Sequence, residues 1–200
     1  MFLESGEFPE EWKKSFLIPI YKSGKKSDIR NYRGIAIISC IPKLFEMIIN
    51  KNIFNQVKSK ITDMQHGLFK GRSTATNLLE FVNYSLNAMD RGSHIETLYT
   101  DFSNAFDKID TQMLIFKLGK IGFDTRIYNW IQSYLTDRRQ IVRFNGKLSN
   151  QIKVTSGVPQ GSHLAPLLFI LYINDISLIL NHLRILIYAD DMKLYLVKIK

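Results

Sequence analysis

Two adjacent acids near the end of the chain are the residues whose types and spacing best fit a chemical role. Asp190 and Asp191 stand in "RILIYADDMKLYLV", between two apolar, β-rich stretches. This pattern predicts a hairpin with both acids at its tip. Adjacent carboxylates repel each other and lose hydration beside an apolar core, so the pair is unfavourable unless a cation neutralises it. An Asp-rich turn is the alternative, because aspartate is common in turns.

A two-metal phosphoryl-transfer site needs further carboxylates from a different part of the chain, held on rigid elements around cations that lie about 4 Å apart. The best candidate is Asp101, because it ends the β-rich run "ETLYTD" and a strand there would bring its carboxylate beside a neighbouring hairpin tip. Asp107 and Asp110 are possible substitutes. Helix capping is the alternative role for an isolated aspartate that follows a strand.

The composition is that of a globular domain with a polyanionic partner. The 200 residues are 46% hydrophobic and carry a formal net charge of +9. Such a basic excess indicates nucleic acid first and an anionic membrane surface second. The single cysteine, Cys40, excludes an intramolecular disulfide framework, fits a reducing intracellular setting, and is expected in the core. The sequence shows no secretory signal, and the apolar stretch Leu164 to Leu180 is short for a membrane span of ~20 residues, so it predicts a buried helix.

Local patterns predict alternating strands and helices around this acidic pair. Basic residues concentrate between Lys13 and Arg33, where a strand leads into an exposed loop. A short strand, a helix beginning near Pro42, and a helix with a Ser/Thr start that stops at Gly92 follow. The apolar stripe of that second helix consists of Leu78, Val82, Leu86 and Met89.

Two more amphipathic helices and a hairpin occupy the middle of the chain. The helices begin at Asp110, ending near Gly122, and at Asp124. The second helix is expected to bury four residues on its apolar face: Ile127, Trp130, Ile131 and Tyr134. The dipeptide Asn145-Gly146 is preferred in tight type I′ turns, so "RRQIVRFNGKLSNQIKV" predicts a hairpin. One compact α+β unit accounts for all of these elements.

Five motifs in order resemble the reverse transcriptases of non-LTR (LINE-type) retrotransposons. They are "NYRGIAIISCIPKLFE", "QHGLFKGRSTATNL", "YTDFSNAFD", "SGVPQGSHLAPLLFILYINDI" and "YADD". The resemblance implies an α+β fold with an antiparallel palm sheet backed by helices, fingers over approximately 1–92 and palm over approximately 93–200. It also implies that a thumb and an endonuclease belong to a longer element protein of which this chain is a fragment or a decayed copy.

The resemblance implies a metal site built on the acids. Asp101 and Asp190 would hold two Mg²⁺ ions, with Mn²⁺ as a possible substitute, Asp191 would complete the acidic cluster, and the backbone carbonyl of Phe102 would add a ligand. Hard oxygen ligands of this kind suit Mg²⁺.

It also implies positions for the substrates. The residues assigned to the deoxynucleoside triphosphate (dNTP) are Lys22, Arg33, Phe102, Phe106 and Gln160. Phe106 matches the family's aromatic sugar gate, a ring that would clash with a 2′-hydroxyl and so favour deoxynucleotides. The residues assigned to nucleic acid are Arg72, Gly157 and Gly161. Each has a structural alternative: a solvated basic face for Lys22 and Arg33, a core aromatic for Phe106, a local contact for Arg72, and an ordinary loop for the glycines.

The function that the resemblance implies is RNA-directed DNA polymerisation, in which deoxynucleotides are added to a DNA primer on an RNA template. The expected setting is intracellular, with no membrane partner. One alternative is a catalytically inactive remnant that keeps the basic surface and only binds nucleic acid. A group II intron-type polymerase is the other, since it shares the palm chemistry.

Overall fold

A computed structural model describes residues 2–180 and 182–198, in which α-helices alternate with strands of two β-sheets. The helices are α1 (Phe2–Ser5), α2 (Cys40–Val57), α3 (Thr74–Asp90), α4 (Thr111–Ile121), α5 (Thr125–Leu135), α6 (Ala165–Ile173) and α7 (Ile176–Ile179). The strands are β1 (Lys14–Tyr21), β2 (Tyr32–Ile37), β3 (His94–Asp101), β4 (Arg139–Phe144), β5 (Lys147–Lys153), β6 (Arg184–Tyr188) and β7 (Asp191–Lys198). The predicted α+β class is confirmed.

The chain divides into two compact units. The first comprises Met1–Gln56 with Phe106–Phe169, and the second comprises Val57–Ala105 with Ile170–Lys200. Each unit contains one of the two sheets, so the chain leaves the first unit and returns to it. This division follows compactness, and the functional division into fingers and palm stays a prediction.

The sheet of the first unit has four strands in the order β2-β1-β4-β5. β1 pairs antiparallel with β2 and parallel with β4, a parallel pairing that the local sequence pattern did not indicate. The predicted hairpin between β4 and β5 is confirmed, since Asn145 and Gly146 have φ angles of 47° and 74°, as a type I′ turn requires. The predicted exposed loop after β1 is also present, and the backbone N–H of Lys22 donates to the Asn31 carbonyl at 2.8 Å.

Side-chain caps define where α4 and α5 of the first unit begin. Asp110 accepts the backbone N–H of Met113 at 2.8 Å, and Asp124 accepts that of Arg126 at 2.9 Å, so both predicted starts are confirmed. The buried residues of α5 include Trp130, Ile131 and Tyr134. The ring of Phe8, from the N-terminal segment, packs on this core at 5.4 Å from the Trp130 ring and 5.1 Å from the Tyr134 ring.

The second unit is built on an antiparallel sheet in the order β3-β7-β6. The predicted strand before Asp101 and the predicted hairpin that carries the two acids are both confirmed. α3 begins with a capping box at Ser73 and packs its aromatic face on the sheet, where Phe81 and Tyr84 lie 5.2 and 5.0 Å from the Tyr195 ring.

Two expectations about single elements were wrong. The aliphatic stripe of α3 is exposed, because the helix uses Phe81 and Tyr84 to cover the sheet. Cys40 is also exposed, because it is the first residue of α2 and has no preceding helical turn to cover it. That helix begins two residues before the predicted start at Pro42.

The apolar stretch Leu164 to Leu180 does not form the one buried helix that was expected. α6 is buried but ends at Ile173, and the following short helix α7 carries exposed Leu178 and Ile179. The break falls where the Asn174 side chain turns to bind the backbone of another segment. In the described ranges, no helix is long and apolar enough to cross a membrane.

Candidate active site

The acids predicted to act together meet at one end of the second unit's sheet. Asp101, the last residue of β3, is the cross-strand partner of Asp191, the first residue of β7. Directly opposed residues of an antiparallel pair project from the same face with Cβ atoms about 4.5–5.5 Å apart. The two carboxylates therefore share a face, and Tyr188 of β6 occupies the same row on the other side of Asp191.

Asp190 lies in the two-residue turn that joins β6 to β7. The first turn residue, Ala189, has a φ of 56°, a region that residues other than glycine enter at a cost of roughly 1–2 kcal/mol. The backbone N–H of Phe102 reaches the Asp190 carbonyl at 3.4 Å, which ties the turn to the residue that follows Asp101. The predicted proximity of Asp101 to the hairpin tip is thus confirmed.

A segment from earlier in the chain, residues 60–67, supports the turn that joins β6 to β7. Ile187 donates its backbone N–H to Met64 at 2.9 Å and accepts the N–H of His66 at 2.8 Å, so Gln65 forms a parallel bridge with Ile187. The buried side chain of Gln65 extends the contact, since its Oε1 accepts the N–H of Ala189 at 3.0 Å. Gln65 lies within the motif "QHGLFKGRSTATNL", but the sequence pattern did not single it out.

The close approach of this segment explains the glycine that follows. A Cβ at Gly67 would lie 2.1 Å from the backbone nitrogen of Ala189, which no side chain could accommodate without moving the turn. Gly67, as a glycine in a motif that accompanies an acid-rich turn, is the sequence signal that could have drawn attention to this segment. A glycine alone does not say which part of the backbone lies close to it.

A cavity of about 390 Å³ adjoins the facing acids. Its lining includes Asp101, Asp191, Tyr99 and Lys193. The Lys193 ammonium lies 4.1 Å from the centre of the Phe81 ring and 5.4 Å from that of Tyr99. Burial lowers the pKa of Lys193 from its ordinary value. A cation and an exposed aromatic ring therefore share the cavity with the two carboxylates.

The opposed pair fits a hard divalent cation. Within the part of the chain that the structure describes, no three histidine, cysteine or carboxylate side chains are grouped closely enough to hold a metal ion together. Mg²⁺ in phosphoryl-transfer sites uses one or two carboxylates and completes its shell with water and substrate phosphates, and Asp101 with Asp191 meets that requirement. A ligand role for Asp190 and for the Phe102 carbonyl stays a prediction.

Three of the residues predicted to contact substrates, Gly157, Gln160 and Gly161, lie on the loop before α6 in the first unit. The side chain of Gln160 donates from Nε2 to Oδ1 of Asp107 at 2.8 Å. The backbone carbonyl of Gln160 accepts the N–H of Ala36 at 2.7 Å. Asp107 therefore orients Gln160, while Asp110 is used as a helix cap. These contacts give both acids structural roles, and the choice of Asp101 as the metal ligand stays a prediction.

The two glycines that flank Gln160 are required by the chain's own backbone. Gly157 has a φ of 83°, and a Cβ there would lie 2.7 Å from the carbonyl oxygens of Phe106 and Asp107. Gly161 has a φ of 116°, and its Cβ would lie 2.6 Å from the Ala36 carbonyl. Contact of these glycines with nucleic acid stays a prediction.

The remaining predicted residues differ in how far their side chains are already engaged. The half-buried ring of Phe106 lies 4.9 Å from that of Phe169, which agrees with a core aromatic and leaves the sugar-gate role a prediction. Lys22 and Arg33 are exposed. Arg72 donates to the carbonyls of Thr62 and Gln65 and to Asp63 Oδ1, and these contacts agree with its local structural alternative.

A buried carboxylate that the sequence pattern did not reveal anchors the end of the Gln160 loop. Oε2 of Glu46 accepts the Ser162 hydroxyl at 2.7 Å and the N–H of His163 at 3.0 Å. Ser162 also contacts the Tyr134 hydroxyl at 2.8 Å. Burial raises the pKa of the Glu46 carboxyl, and it also raises the pKa of the Tyr134 hydroxyl. Nothing in the pattern of α2 distinguishes this glutamate from a surface one.

Comparisons with known proteins agree with this geometry. The model of a family described as reverse transcriptase (RNA-dependent DNA polymerase) matches residues 22–200. The "Probable RNA-directed DNA polymerase from transposon BS" of Drosophila melanogaster is 33% identical over an alignment of 173 residues that covers 84% of this chain and 19% of that protein. The "RNA-directed DNA polymerase from mobile element jockey" of the same organism is 30% identical over an alignment of 176 residues that covers 86% of this chain and 19% of that protein.

A solved structure agrees in fold. The telomerase of Candida tropicalis, in complex with a fragment of telomeric RNA, superposes with a TM-score of 0.71 at 11% identity, covering 94% of this chain and 37% of that one. The palm-type polymerase fold expected from the sequence is confirmed by this likeness. The chain spans about a fifth of the length of the curated relatives named above, since it covers 19% of each.

Proposed function

The chain belongs to the reverse transcriptase (RNA-dependent DNA polymerase) family, and on this premise we propose that it takes part in RNA-directed DNA synthesis for a non-LTR retrotransposon. Its substrates would be an RNA template, a DNA primer and dNTPs. The single observation that supports this best is the placement of Asp101 opposite Asp191 beside the turn that holds Asp190. Two facing carboxylates from distant segments, with Asp190 in the adjoining turn, support metal-dependent chemistry at this end of the sheet.

The proposed role of the acids is to hold two Mg²⁺ ions, which Mn²⁺ could replace. When bound, such ions lower the pKa of the attacking hydroxyl and neutralise charge on the transferred and leaving phosphates. Asp101 and Asp191 would supply negative charge from rigid strand ends, and Asp190 and the Phe102 carbonyl would complete the set. The hydrogen bond between Phe102 and Asp190 supports this assignment because it links the two acid-bearing segments.

Other predicted residues would select the nucleotide. Lys22 and Arg33 would bind the triphosphate, Lys22 as a point charge and Arg33 as a planar fork. Gln160, oriented by Asp107, would contact the incoming nucleotide, and Phe106 would oppose a 2′-hydroxyl.

The nucleic-acid strands would use other positions. Arg72, Gly157 and Gly161 would lie along them. In this proposal residues 1–92 serve as fingers and residues 93–200 as palm.

Primer extension on an RNA template tests the proposal. The chain is assayed alone and joined to the element sequence that follows it, with Mg²⁺, dNTPs and a DNA primer annealed to RNA. Asp101→Ala should abolish extension because it removes one of the opposed carboxylates. Glu96→Gln is the matched control, because Glu96 lies on the same strand and forms a surface ion pair with Lys198 at 2.8 Å. Extension only in the longer protein would show that downstream elements are needed to hold the duplex.

A nucleic-acid-binding remnant is the second candidate, favoured by the net charge of +9. Tight, salt-sensitive binding of RNA or DNA without metal-dependent extension in either form would support it. The group II intron-type alternative would be favoured by efficient extension on an intron RNA and poor extension on a retrotransposon RNA. The relatives named above come from transposable elements, which favours the retrotransposon assignment.

A further inference from the structure

We infer that Gln65 is a positioning residue whose side-chain amide holds the turn carrying Asp190 and Asp191, and that it thereby sets the affinity of the acids for a divalent cation. This inference rests on the metal role proposed above. It adds a residue more than a hundred positions away in the chain to the machinery of the site.

The Gln65 amide satisfies both backbone polar groups of one turn residue. Oε1 accepts the N–H of Ala189 at 3.0 Å, and Nε2 donates to the carbonyl of Ala189 at 3.5 Å. Oε1 also accepts the N–H of Gly67 at 2.8 Å, which fixes the orientation of the amide from its own side. Gln65 is 1% exposed, so water cannot replace these contacts without opening the structure.

The turn needs such a partner because its first residue has an unfavourable backbone conformation. Ala189 has a φ of 56°, where glycine is the ordinary choice for the first central position of a type II′ hairpin. A strained residue persists only when its surroundings over-determine its conformation. Gln65 supplies that restraint at the residue immediately before Asp190.

The backbone around Gln65 makes the restraint stiff. The bridge between Gln65 and Ile187 places the amide beside the turn, and the N–H of His66 donates to the Ile187 carbonyl at 2.8 Å. Gly67 allows this approach, because a Cβ there would lie 2.7 Å from the carbonyl carbon of Tyr188. The Gln65 side chain therefore extends from a backbone that is hydrogen-bonded to β6 in the manner of a strand.

A second amide clamp on the same segment provides a matched control. Oδ1 of Asn174 accepts the N–H of Thr62 at 2.8 Å, and Nδ2 donates to the Lys60 carbonyl at 2.9 Å. Like Gln65, Asn174 binds backbone N–H and C=O groups through a single amide, with one donor where Gln65 has two. These two contacts hold Thr62 and Lys60, and neither of them involves the turn that carries Asp190.

The test compares Gln65→Met with Asn174→Leu in the 200-residue chain. Both substitutions keep the approximate size of the side chain and remove the amide. Mn²⁺ binding is titrated by the electron paramagnetic resonance signal of the free ion, and folding is followed by thermal melting. Gln65→Met should weaken Mn²⁺ binding about tenfold or more, the typical loss for a residue that orients metal ligands. Asn174→Leu should lower the melting temperature while leaving the Mn²⁺ affinity within about twofold, because its contacts lie away from the acids.

Two further variants address strain and folding. Ala189→Gly relieves the positive φ, so the loss caused by Gln65→Met should be smaller when both changes are combined. Gln65→Asn keeps an amide but shortens it by one methylene, and it replaces Gln65→Met if the latter does not fold. An unchanged Mn²⁺ affinity in a folded Gln65 variant would overturn the inference and leave the proposed function standing. Failure of the wild-type chain to bind Mn²⁺ would overturn both the inference and the proposed metal role. Equal losses of Mn²⁺ affinity in the Gln65 and Asn174 variants would overturn the inference, because they would show that Gln65 contributes only to the stability of the fold.

Discussion

Asp101 and Asp191 face each other as cross-strand partners, the last residue of β3 opposite the first residue of β7. Like charges directly opposite in a sheet are unfavourable by a few tenths of a kcal/mol to about 1 kcal/mol. Asp191→Asn should therefore raise the melting temperature of the metal-free protein, and it should remove most of the further rise that Mg²⁺ produces in the wild type. Binding at about one hundred times the dissociation constant stabilises by about 2.7 kcal/mol.

Thermal melting with and without Mg²⁺ measures both effects, and Glu96→Gln serves as the control. Glu96 belongs to a surface ion pair with Lys198, so its loss should leave the Mg²⁺ response intact. An Asp191→Asn protein that still gains full stability from Mg²⁺ would show that the cation binds elsewhere.

Gly67→Ala should destabilise the protein by about 2–3 kcal/mol, as expected for an overpacked contact. The new Cβ would meet the nitrogen of Ala189 at 2.1 Å and would push the turn away. Gly119→Ala is the control, because Gly119 lies within α4 and its Cβ would make an ordinary contact of 3.5 Å with Tyr128. That change should stabilise by about 0.4–1 kcal/mol. Urea unfolding compares the two, and a neutral Gly67→Ala would mean that the segment and the turn can separate without cost.

Glu46→Gln should become relatively more stabilising as the pH rises from about 4 to about 7. Burial raises the pKa of Glu46 above its usual 4.5, so the folded state favours the protonated carboxyl. The stability contribution of that group is fully present below the usual pKa and is lost as the pH rises through the raised pKa. A glutamine cannot ionise, so the variant escapes this loss.

Melting temperatures of variant and wild type between about pH 2 and about pH 7 provide the measurement, because the change expected for the control below falls under the usual aspartate pKa of 3.8. Asp137→Asn is the control of opposite sign, because the hydrogen bond from Lys153 lowers the pKa of Asp137. Its stabilising contribution is present at neutral pH and is lost as the pH falls through the lowered pKa, so Asp137→Asn should matter less in acid. A pH-independent difference for Glu46→Gln would contradict the assigned cause.

Replacing Lys22 and Arg33 with glutamine should weaken dNTP binding several-fold and should lower nucleic-acid affinity less. Both side chains are exposed and basic, and each lost phosphate contact also reduces the dependence of log affinity on log salt. Lys120→Gln with Arg126→Gln removes the same charge from α4 and α5, so it controls for net charge. Fluorescence anisotropy at several salt concentrations compares the pairs. Salt-independent binding, or much tighter binding to anionic liposomes, would show that the basic surface serves another partner.

Phe106→Ala should raise the ratio of ribonucleotide to deoxynucleotide incorporation in a form of the protein that extends primers. A ring beneath the sugar would clash with a 2′-hydroxyl, and its removal relaxes that exclusion. Competition assays with matched ribonucleotides and deoxynucleotides give the ratio. The contact with Phe169 makes a folding check necessary, since emptying an aromatic site can cost about 3–5 kcal/mol. Phe116→Ala, an exposed aromatic on α4, is the control, and an unchanged sugar preference in folded Phe106→Ala would refute the gate assignment.

The features that the sequence determined by itself depend on neighbouring residues. The turn at Asn145-Gly146 and the caps at Asp110 and Asp124 each follow from φ/ψ preferences or from a hydrogen bond spanning two or three residues. The hairpin that carries Asp190 follows from the two β-rich stretches that flank the acids. The five ordered motifs likewise identified the family, because motif order does not depend on which surfaces pack. The parts of the site carried by these elements could therefore be predicted from local sequence.

The tertiary structure alone decided which distant groups meet. Gln65 and Ala189 are 124 residues apart, and no local preference of either residue specifies their hydrogen bonds. Burial was equally non-local: α3 turned its aromatic face to the sheet and left its aliphatic stripe exposed, and Glu46 became a buried anchor for Ser162. Such outcomes depend on the free energy of the whole packed arrangement, in which the partner of each side chain is set by the register of the sheets and the surfaces they cover.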